Sequence, residues 1–349
     1  LIDGGSHING DYVDYSSVKD KIIISLQDGS DPTVVRVGGD TVNHTIKNIE
    51  NIIGSNTADD TITGNSSNNT IKGGGGDDTI DGAGGSNYLD GELGSDTVSF
   101  ESVTSVNGIS VNIGNSAVTI NGTSYAASNA IRNGFTSTVV NFENIQGSKN
   151  ADILIGSDEA NIIKGGEGND TIYGGKGSNF LEGNAGADTF IMGGFFDGTA
   201  TDHAYVNQVD GGSGADILDY SKVTTGAISV TLDGEEFSKV SIYSDNVRIS
   251  EIGGTYDTVK NIRNIIGTSG NDYIKGDANA NELYGGVGDD TLDGGAGDDK
   301  LFGGSGNDTI ISSGGNNIID GGDHNGIGDW VWYNQKLMAL NINMNSTDN

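Results

Sequence analysis

The sequence predicts an all-β protein in which parallel strands wind into flattened coils, with small β-elements between groups of coils. Three observations support this. Gly supplies 59 of the 349 residues and Pro only one, Asp and Glu exceed Lys and Arg by 49 − 17 = 32 charges, and apolar residues recur every nine positions. A hydrophobic fraction of 34% is low for a conventional core. We therefore expect the fold to depend on cations that offset its carboxylates.

The composition excludes several classes of protein. Seventeen Lys and Arg residues are too few for a nucleic-acid interface, and the negative charge disfavours an anionic membrane surface. No run approaches the length of about 18 apolar residues that a membrane span needs. The absence of Cys excludes thiolate zinc sites, disulfides and cysteine nucleophiles. We expect no nucleic-acid partner, no membrane span, and metal binding through oxygen ligands.

The nine-residue period occurs in three blocks that keep one register. Its apolar position falls at Ile62, Ile71, Ile80, Leu89, Val98, Leu154, Ile163, Ile172, Leu181, Phe190, Ile274, Leu283, Leu292, Leu301, Ile310 and Ile319. Asp or Asn stands two residues before each of them, and Gly usually stands seven residues before. The triplet around each apolar residue is long enough for a minimal strand, and the glycines permit tight turns. Two nonads therefore form one coil of 18 residues, and successive coils stack in parallel about 4.8 Å apart.

Several nonads resemble those of a known repeat family. GGEGNDTIY at 165–173, GGAGDDKLF at 294–302 and GGSGNDTII at 303–311 resemble the G-G-x-G-x-D-x-U-x nonapeptide of RTX (repeats-in-toxin) proteins. The resemblance implies a parallel β-roll, or RTX β-helix, that binds calcium between stacked turns. In that family the ligands are the position-six Asp and backbone carbonyls of the glycine-rich turn. Such an all-oxygen set suits calcium better than magnesium or zinc.

Position six of the nonad alternates between Asp and Asn. The Asp members are Asp60, Asp78, Asp96, Asp152, Asp170, Asp188, Asp272, Asp290 and Asp308, and the Asn members are Asn69, Asn87, Asn161, Asn179, Asn281 and Asn317. Alternate nonads form opposite edges of a roll, so we expect each block to have one Asp edge and one Asn edge. Two gaps between Asp turns per block predict 3 × 2 = 6 calcium sites.

The expected carbonyl ligands lie in the first glycines of the Asp turns: Gly73, Gly91, Gly165, Gly183, Gly285 and Gly303. Asp216 is an additional candidate ligand, and Asp299, which interrupts an Asn edge, could add up to two weaker sites. We expect the Asn edges to bind calcium weakly or not at all and to form a hydrogen-bond ladder instead. The alternative interpretation is that Asp and Asn act only as turn formers, which explains the Asn series better than the alternating Asp series.

The segments between the blocks form a second, longer repeat. Tyr15–Leu26, Phe100–Ile113 and Tyr220–Leu232 each start an alternating, strand-like pattern, and each is followed by apolar residues at a spacing of three. We expect these elements to cap the open ends of separate rolls. The predicted order is an N-terminal cap with the end of a preceding repeat (1–54), roll 1 (55–98), cap element 2 (99–146), roll 2 (147–191), an insertion (192–210), cap element 3 (211–266), roll 3 (267–322) and the start of a further cap element (323–349).

We expect no enzymatic activity. His7, His44, His203 and His324 lie in predicted loops, and no metalloprotease, nucleophile-elbow or P-loop motif is present. The insertion, which contains Phe195, Phe196, His203 and Tyr205, is interpreted as an ordered loop or contact patch, with a ligand site as the alternative.

The sequence therefore favours a secreted, calcium-binding structural module that folds on extracellular calcium. We expect it at a bacterial cell surface, exported by type I secretion, as part of a surface layer (S-layer) or adhesin, with self-association or a surface polysaccharide as its partner. The matching ends, 3–15 and 320–333, indicate a piece of a longer repetitive polypeptide. The alternative is an RTX secretion and folding appendage of a larger enzyme or toxin. A third hypothesis is a polysaccharide-binding module that uses Tyr88, Tyr173, Tyr284 and Phe302.

Overall fold

The computed structural model confirms the all-β prediction. It describes residues 1–5, 10–29, 31–38, 42–103, 107–193, 205–223, 226–244, 247–248, 256–324 and 326–333. These residues form 36 β-strands. None of the described residues lies in a helix, and so this part of the chain has no helix that is long and apolar enough to cross a membrane.

The strands stack into two long sheets, named face A and face B, that enclose one core. Face A consists of Ile2–Asp3, Ile22–Ser25, Thr33–Val37, Val42–Lys47, Thr61–Thr63, Thr79–Asp81, Thr97–Ser99, Asn144–Gln146, Ile162–Glu167, Phe180–Ala185, Gln208–Asp210, Ala227–Thr231, Ser238–Ser244, Val247–Arg248, Asp257–Lys260, Tyr273–Lys275, Thr291–Asp293, Thr309–Ser312 and Trp330–Tyr333. Face B consists of Tyr12–Asp14, Asn51–Ile53, Thr70–Gly75, Tyr88–Leu93, Ser110–Asn112, Asn129–Arg132, Phe135–Val140, Ile153–Ile155, Thr171–Tyr173, Thr189–Ile191, Ile217–Asp219, Asn264–Ile266, Glu282–Val287, Lys300–Ser305 and Ile318–Asp323. A separate hairpin joins Val118–Ile120 to Thr123–Tyr125.

Within each roll the strands pair in parallel with a shift of 18 residues. Ile62 is paired with Ile80 on face A, and Leu283 is paired with Leu301 on face B. The apolar side chains of the nonads point inward and are buried, except at the last position, Ile319, which is partly buried. Two nonads therefore make one coil, as the spacing predicts.

The element between rolls 1 and 2 is inserted into the double sheet. On face A, Thr97–Ser99 pairs directly with Asn144–Gln146. On face B, the antiparallel strands Asn129–Arg132 and Phe135–Val140 lie between the strands of the two rolls. Both sheets thus continue from one roll to the next.

The element between rolls 2 and 3 has the opposite arrangement. On face B, Ile217–Asp219 pairs directly with Asn264–Ile266. On face A, the antiparallel strands Ala227–Thr231 and Ser238–Ser244 are inserted. The division of the chain into rolls and cap elements stays a prediction. The strands of the inserted elements pair on both sides, and one buried core cluster extends through all of them.

Apolar residues at a spacing of three form a short half-coil at each junction. Val139, Phe142 and Ile145 are all buried, and Phe142 occupies the edge where a nonad would place its glycine-rich turn. This half-coil advances the chain from one face to the other in six residues instead of nine. From Val98 on face A through Val139 and Ile145 to Leu154 on face B, the chain makes three passages between faces, whereas two separate successive Asp turns within a roll. The extra passage shifts the Asp series by one face.

The shift moves the Asp turns to the other edge of the solenoid at each junction. Two edges are defined: at the first edge the chain passes from face B to face A, and at the second edge it passes from face A to face B. Asp96 leads into face A, whereas Asp152 leads into face B and Asp272 leads into face A again. Rolls 1 and 3 therefore have their Asp turns on the first edge, and roll 2 has them on the second edge.

Candidate metal sites

The position-six Asp residues of one roll form a ladder, called the Asp line. At each step the backbone N–H of one Asp donates a hydrogen bond to Oδ1 of the Asp in the next coil. The N···O distances are 2.7 Å from Asp60 to Asp78 and from Asp78 to Asp96. Rolls 2 and 3 repeat the ladder with distances of 2.7 to 2.8 Å. This bond fixes each carboxylate and leaves its second oxygen, Oδ2, for another partner.

That second oxygen is the feature that points to a cation. Oδ2 is buried and has no hydrogen-bond partner in Asp78, Asp96, Asp170, Asp188, Asp216, Asp290, Asp299 and Asp308. A buried carboxylate oxygen without a partner is costly, and native structures rarely retain one unless an ion or water satisfies it. Eight such atoms at one repeat position indicate a shared unmet requirement for positive charge.

A backbone carbonyl of the neighbouring coil lies beside seven of these oxygens, those of every residue in the set except Asp299. A Cβ built on Gly73 would overlap Oδ2 of Asp78 and would lie 2.7 Å from the carbonyl oxygen of Gly91. The same crowding occurs at Gly165, with Asp170 and the Gly183 carbonyl. The turn therefore needs Gly at this position, because any side chain would fill the space between the two oxygens.

All six glycines predicted from the sequence occupy this place. Gly73, Gly91, Gly165, Gly183, Gly285 and Gly303 each lie against Oδ2 of the Asp in their own turn. Their carbonyls also face the first glycine of the preceding Asp turn, at Gly54, Gly73, Gly147, Gly165, Gly267 and Gly285. The structure thus brings the predicted glycines and the predicted Asp residues together.

Burial raises the pKa of carboxyl groups in the Asp line. Burial, reinforced by repulsion from neighbouring carboxylates, raises the pKa of Asp78 to about 7, that of Asp170 to about 8 and that of Asp290 to about 7. Backbone hydrogen bonds oppose the shift without cancelling it. Without a metal ion, these side chains are partly protonated at neutral pH. A cation would therefore displace protons from the Asp line.

The first Asp of each line has a different environment. Oδ2 of Asp60, Asp152 and Asp272 accepts a hydrogen bond of 2.6 Å from the backbone N–H of Ser55, Ser148 and Thr268, respectively. Their Oδ1 atoms accept hydrogen bonds from the backbone N–H of Ile22, Ile109 and Ile228, which lie in or beside strands of the inserted elements. These three Asp residues attach the inserted elements to the rolls. Calcium ligation by them remains a prediction.

The position-six Asn residues on the opposite edge, called the Asn line, form the same backbone ladder, but their side-chain amides have hydrogen-bond partners within the protein. The N–H of Asn69 donates to Oδ1 of Asn87 at 2.8 Å, and the N–H of Asn161 donates to Oδ1 of Asn179 at 2.9 Å. Nδ2 of Asn87 donates to the carbonyls of Gly82 and Gly84, both at 2.9 Å. The Asn87 amide thus donates to carbonyls of its own turn, whereas the amide of Asn161, the first Asn of its line, donates to the Glu143 carbonyl at 2.7 Å. The Asn edge has the hydrogen-bond ladder that the sequence suggests.

Asp299 is an Asp turn within an Asn line. It accepts from the N–H of Asn281 and donates to Oδ1 of Asn317, yet its Oδ2 is buried without a partner. Burial raises its pKa to about 6. Its environment therefore resembles that of the Asp lines, as expected for an additional site.

The donor set fits calcium. Among the described residues, no three His, Asp or Glu side chains converge as a conventional metal cluster. Each step of the Asp line instead offers one carboxylate oxygen and backbone carbonyls. Hard oxygen ligands with relaxed geometry are what calcium prefers. The residues that would hold it are the Asp of one coil and the first glycine of the next.

A family comparison agrees with this geometry. The model of the RTX calcium-binding nonapeptide repeat (4 copies) matches residues 55–89, 63–98, 146–181, 155–190, 165–198, 266–301 and 293–325. Each of the three rolls is thus similar to the RTX calcium-binding nonapeptide repeat. The matches fall on the rolls and leave most of the inserted elements outside. No curated protein matches the chain.

Two further Asp residues occupy equivalent positions although they lie outside the nine-residue register. Asp329 lies against Gly321 and accepts a hydrogen bond from the N–H of Asp308 at 2.9 Å. It therefore continues the Asp line of roll 3 after a coil that is three residues longer than the regular 18. Asp11 lies against Gly4 in the same way at the N-terminal end. Asp11 stands two residues before the buried Val13, and Asp329 stands two residues before Val331, which pairs with the inward Ile310 but is 41% exposed at the end of the sheet. That spacing was the available signal in the sequence.

Other predicted features have structural roles or lie outside the described residues. His44 stacks on Tyr15 with ring centroids 5.8 Å apart, and His324 is exposed. His7, Phe195, Phe196 and His203 lie outside the described residues, as does the C-terminal segment 334–349.

The aromatic side chains on the roll surfaces do not form one exposed row. Tyr173 is buried with Ile155 and Ile191 under the hairpin Val118–Tyr125, next to a cavity of about 440 Å³. Tyr284 and Phe302 stack on each other with centroids 4.6 Å apart. Of the four, Tyr88 is the most exposed, at 40%.

Proposed function

We propose that the chain is a secreted, calcium-dependent structural module of a bacterial surface layer or adhesin, without enzymatic activity. The observation that supports it best is the set of eight buried Oδ2 atoms without partners on the Asp edges and at Asp299. They are arranged along a repetitive double sheet, where they affect folding of the whole module. Self-association or binding to a surface polysaccharide would be its biological role.

The mechanism is folding coupled to metal binding. In the chain's unfolded state its 49 acidic residues are solvated and repel one another. Folding buries the carboxylates of the Asp lines at adjacent coils, which is unfavourable while they are charged. Bound calcium would supply the positive charge that offsets this burial. Sites with dissociation constants of about 10⁻⁴–10⁻³ M, typical of extracellular modules, would fill outside a cell and stay empty in the cytosol.

This coupling suits export followed by folding. A chain that stays unfolded at low calcium can pass a secretion channel and fold after release. The alternating position of the Asp edges places candidate ions on both sides of the solenoid. Bound calcium would then stabilise rolls 1 and 3 along the first edge and roll 2 along the second edge.

Circular dichroism of the full chain tests the proposal. In 2 mM calcium we expect a β-sheet spectrum, and in excess EGTA we expect loss of that spectrum, restored by adding calcium back. Magnesium at the same concentration serves as the control and should restore little of it. A β-sheet spectrum that is unchanged in EGTA would contradict the proposal. Sedimentation velocity in the same two buffers would show whether the folded module associates.

A further inference from the structure

The last step of the Asp line in roll 1 ends on a glutamate of the inserted element. The N–H of Asp96 donates to Oε2 of Glu143 at 2.8 Å. One coil earlier, the N–H of Asp78 makes the equivalent bond to Oδ1 of Asp96 at 2.7 Å. Glu143 thus occupies the place of the next Asp. Its longer side chain reaches that place from the short half-coil, which has no glycine-rich turn.

The other donors of a regular step are also preserved at this junction. Asp96 is fully buried, and its Oδ2 has no partner. A Cβ built on Gly91 would lie 2.6 Å from that oxygen and would overlap the carbonyl oxygen of Asn141. The Asn141 carbonyl therefore replaces the glycine carbonyl that faces the carboxylate in a regular step.

The backbone of Asn141 is held in position for this purpose. It adopts a positive φ of 56°, and its Nδ2 donates to Oδ1 of Asp90 at 2.7 Å. Positive φ is uncommon for a residue other than Gly, and Asn tolerates it better than most. The positive φ and the hydrogen bond to Asp90 thus fix the position of the Asn141 carbonyl beside Asp96.

A second junction, at the N-terminal end, has the same arrangement of residues. There, the N–H of Asp11 donates to Oε2 of Glu50 at 2.9 Å, and a Cβ on Gly4 would lie 2.6 Å from Oδ2 of Asp11. Asn48 has a φ of 51° and takes the place of Asn141. This junction has the same residue types in the same places as the first, although Asp11 is only partly buried.

The junction after roll 2 differs in one side chain. Asp216 has a buried Oδ2 without a partner, and a Cβ on Gly211 would lie 2.8 Å from it and would overlap the Asn261 carbonyl. The residue in the place of Glu143 is Arg263, whose N–H donates to the carbonyl of Asp216 at 3.1 Å.

We propose that the gap between Asp96 and Glu143 is a divalent-cation site built from Asp96, Glu143 and the Asn141 carbonyl, and that the junction after roll 2 lacks this site because Arg263 stands where the second carboxylate would be needed. The site at Asp11 and Glu50 is the equivalent of the first. This inference rests on the proposed calcium-dependent function, but it concerns ligands outside the RTX nonapeptide. A junction that contains Glu therefore offers a second carboxylate to the cation, and the junction that contains Arg does not.

Reciprocal substitutions in the full chain test the inference. Calcium stoichiometry is measured by isothermal titration calorimetry on wild type, Glu143→Arg and Arg263→Glu. We expect Glu143→Arg to bind one calcium fewer than wild type and Arg263→Glu to bind one more. Glu159→Arg, which makes the same charge reversal at an exposed position of roll 2, is the matched control and should bind the wild-type number.

Folding defects and failure of the general function are separated by two further readouts. Glu143→Gln keeps an acceptor for the N–H of Asp96 and should fold in calcium with one weakened site, so it replaces Glu143→Arg if that variant does not fold. Unchanged stoichiometry and affinity in the folded Glu143 variants, together with no gain in Arg263→Glu, would overturn the inference. Wild type that binds no calcium at all would instead overturn the proposed function.

Discussion

The two edges of a single roll differ in one atom per turn. In the turn from Gly73 to Asp78, Oδ2 of Asp78 is buried and has no hydrogen-bond partner. In the turn from Gly82 to Asn87, Nδ2 takes its place and donates to the carbonyls of Gly82 and Gly84. Backbone ladder, strand pairing and inward side chains are the same on both edges. The Asn edge therefore completes its own hydrogen bonding, whereas the Asp edge needs a cation.

The largest expected effect is the response of the calcium-free protein to pH. Burial raises the pKa of Asp60 to about 6, of Asp78 to about 7 and of Asp170 to about 8, above an ordinary value of 3.8. The native state therefore binds more protons than the unfolded state between these values. Stability of the calcium-free chain should be greatest below pH 4 and should be lost as pH rises through about 6 to 8.

Thermal unfolding in EGTA across this pH range checks the prediction. With calcium present the dependence should reverse, because protons compete with the ion for the same carboxylates, so calcium affinity should fall as pH drops below 7. A calcium-free protein that gains stability as pH rises from 5 to 8 would show that the Asp line is not buried as described.

Exchanging the residue types of the two edges should exchange their behaviour. Asp170→Asn with Asp188→Asn gives roll 2 a second Asn edge, so calcium binding there should be lost. Each new amide can donate to turn carbonyls, which should stabilise the calcium-free state by about 1–3 kcal/mol per site. Asn161→Asp with Asn179→Asp is the matched control, and it should destabilise the calcium-free state. Urea unfolding in EGTA at pH 5, where protonated Asp side chains keep the calcium-free chain folded, measures both, and equal shifts in the two double variants would contradict the comparison.

A single methyl group should discriminate between crowded and open glycines. At Gly303 a Cβ would overlap Oδ2 of Asp308, whereas at Gly314, in an Asn turn of the same roll, the nearest atom would be 3.5 Å away. Gly303→Ala should cost about 1–3 kcal/mol, as overpacking typically does, and should weaken calcium binding. Gly314→Ala should change neither. Urea titrations in 2 mM calcium compare the two variants. Similar losses of unfolding free energy in both would show that the Asp turn can accommodate a Cβ.

The smallest effect is expected on the faces of the rolls. Lys72 and Glu92 form an ion pair of 2.7 Å on face B, with both side chains about one-third exposed. Such partly exposed pairs contribute about 0–1 kcal/mol. Lys72→Met should therefore leave calcium stoichiometry unchanged and shift the unfolding midpoint only slightly. A loss of calcium binding in this variant would place the metal chemistry on the faces instead of the edges.

The sequence predicted the edges well because the nonad has a fixed length. Positions two and seven residues before each apolar residue were enough to find Asp78, Gly73 and their copies. It did not predict that the Asp edge changes sides between rolls, since that depends on how the six-residue half-coil at Phe142 pairs with its neighbours. Glu143 was missed for the same reason: its role appears only when its side chain reaches the N–H of Asp96. Asp329 was missed because a turn of different length broke the count.

The most direct test of the central claim is the location of calcium in a crystal or cryo-EM structure determined in 2 mM calcium. The account predicts ion density between successive Asp turns, as between Asp78 and Asp96, on the first edge of rolls 1 and 3 and on the second edge of roll 2. It predicts none between Asn69 and Asn87. Equal ion density along both edges of a roll would contradict the account.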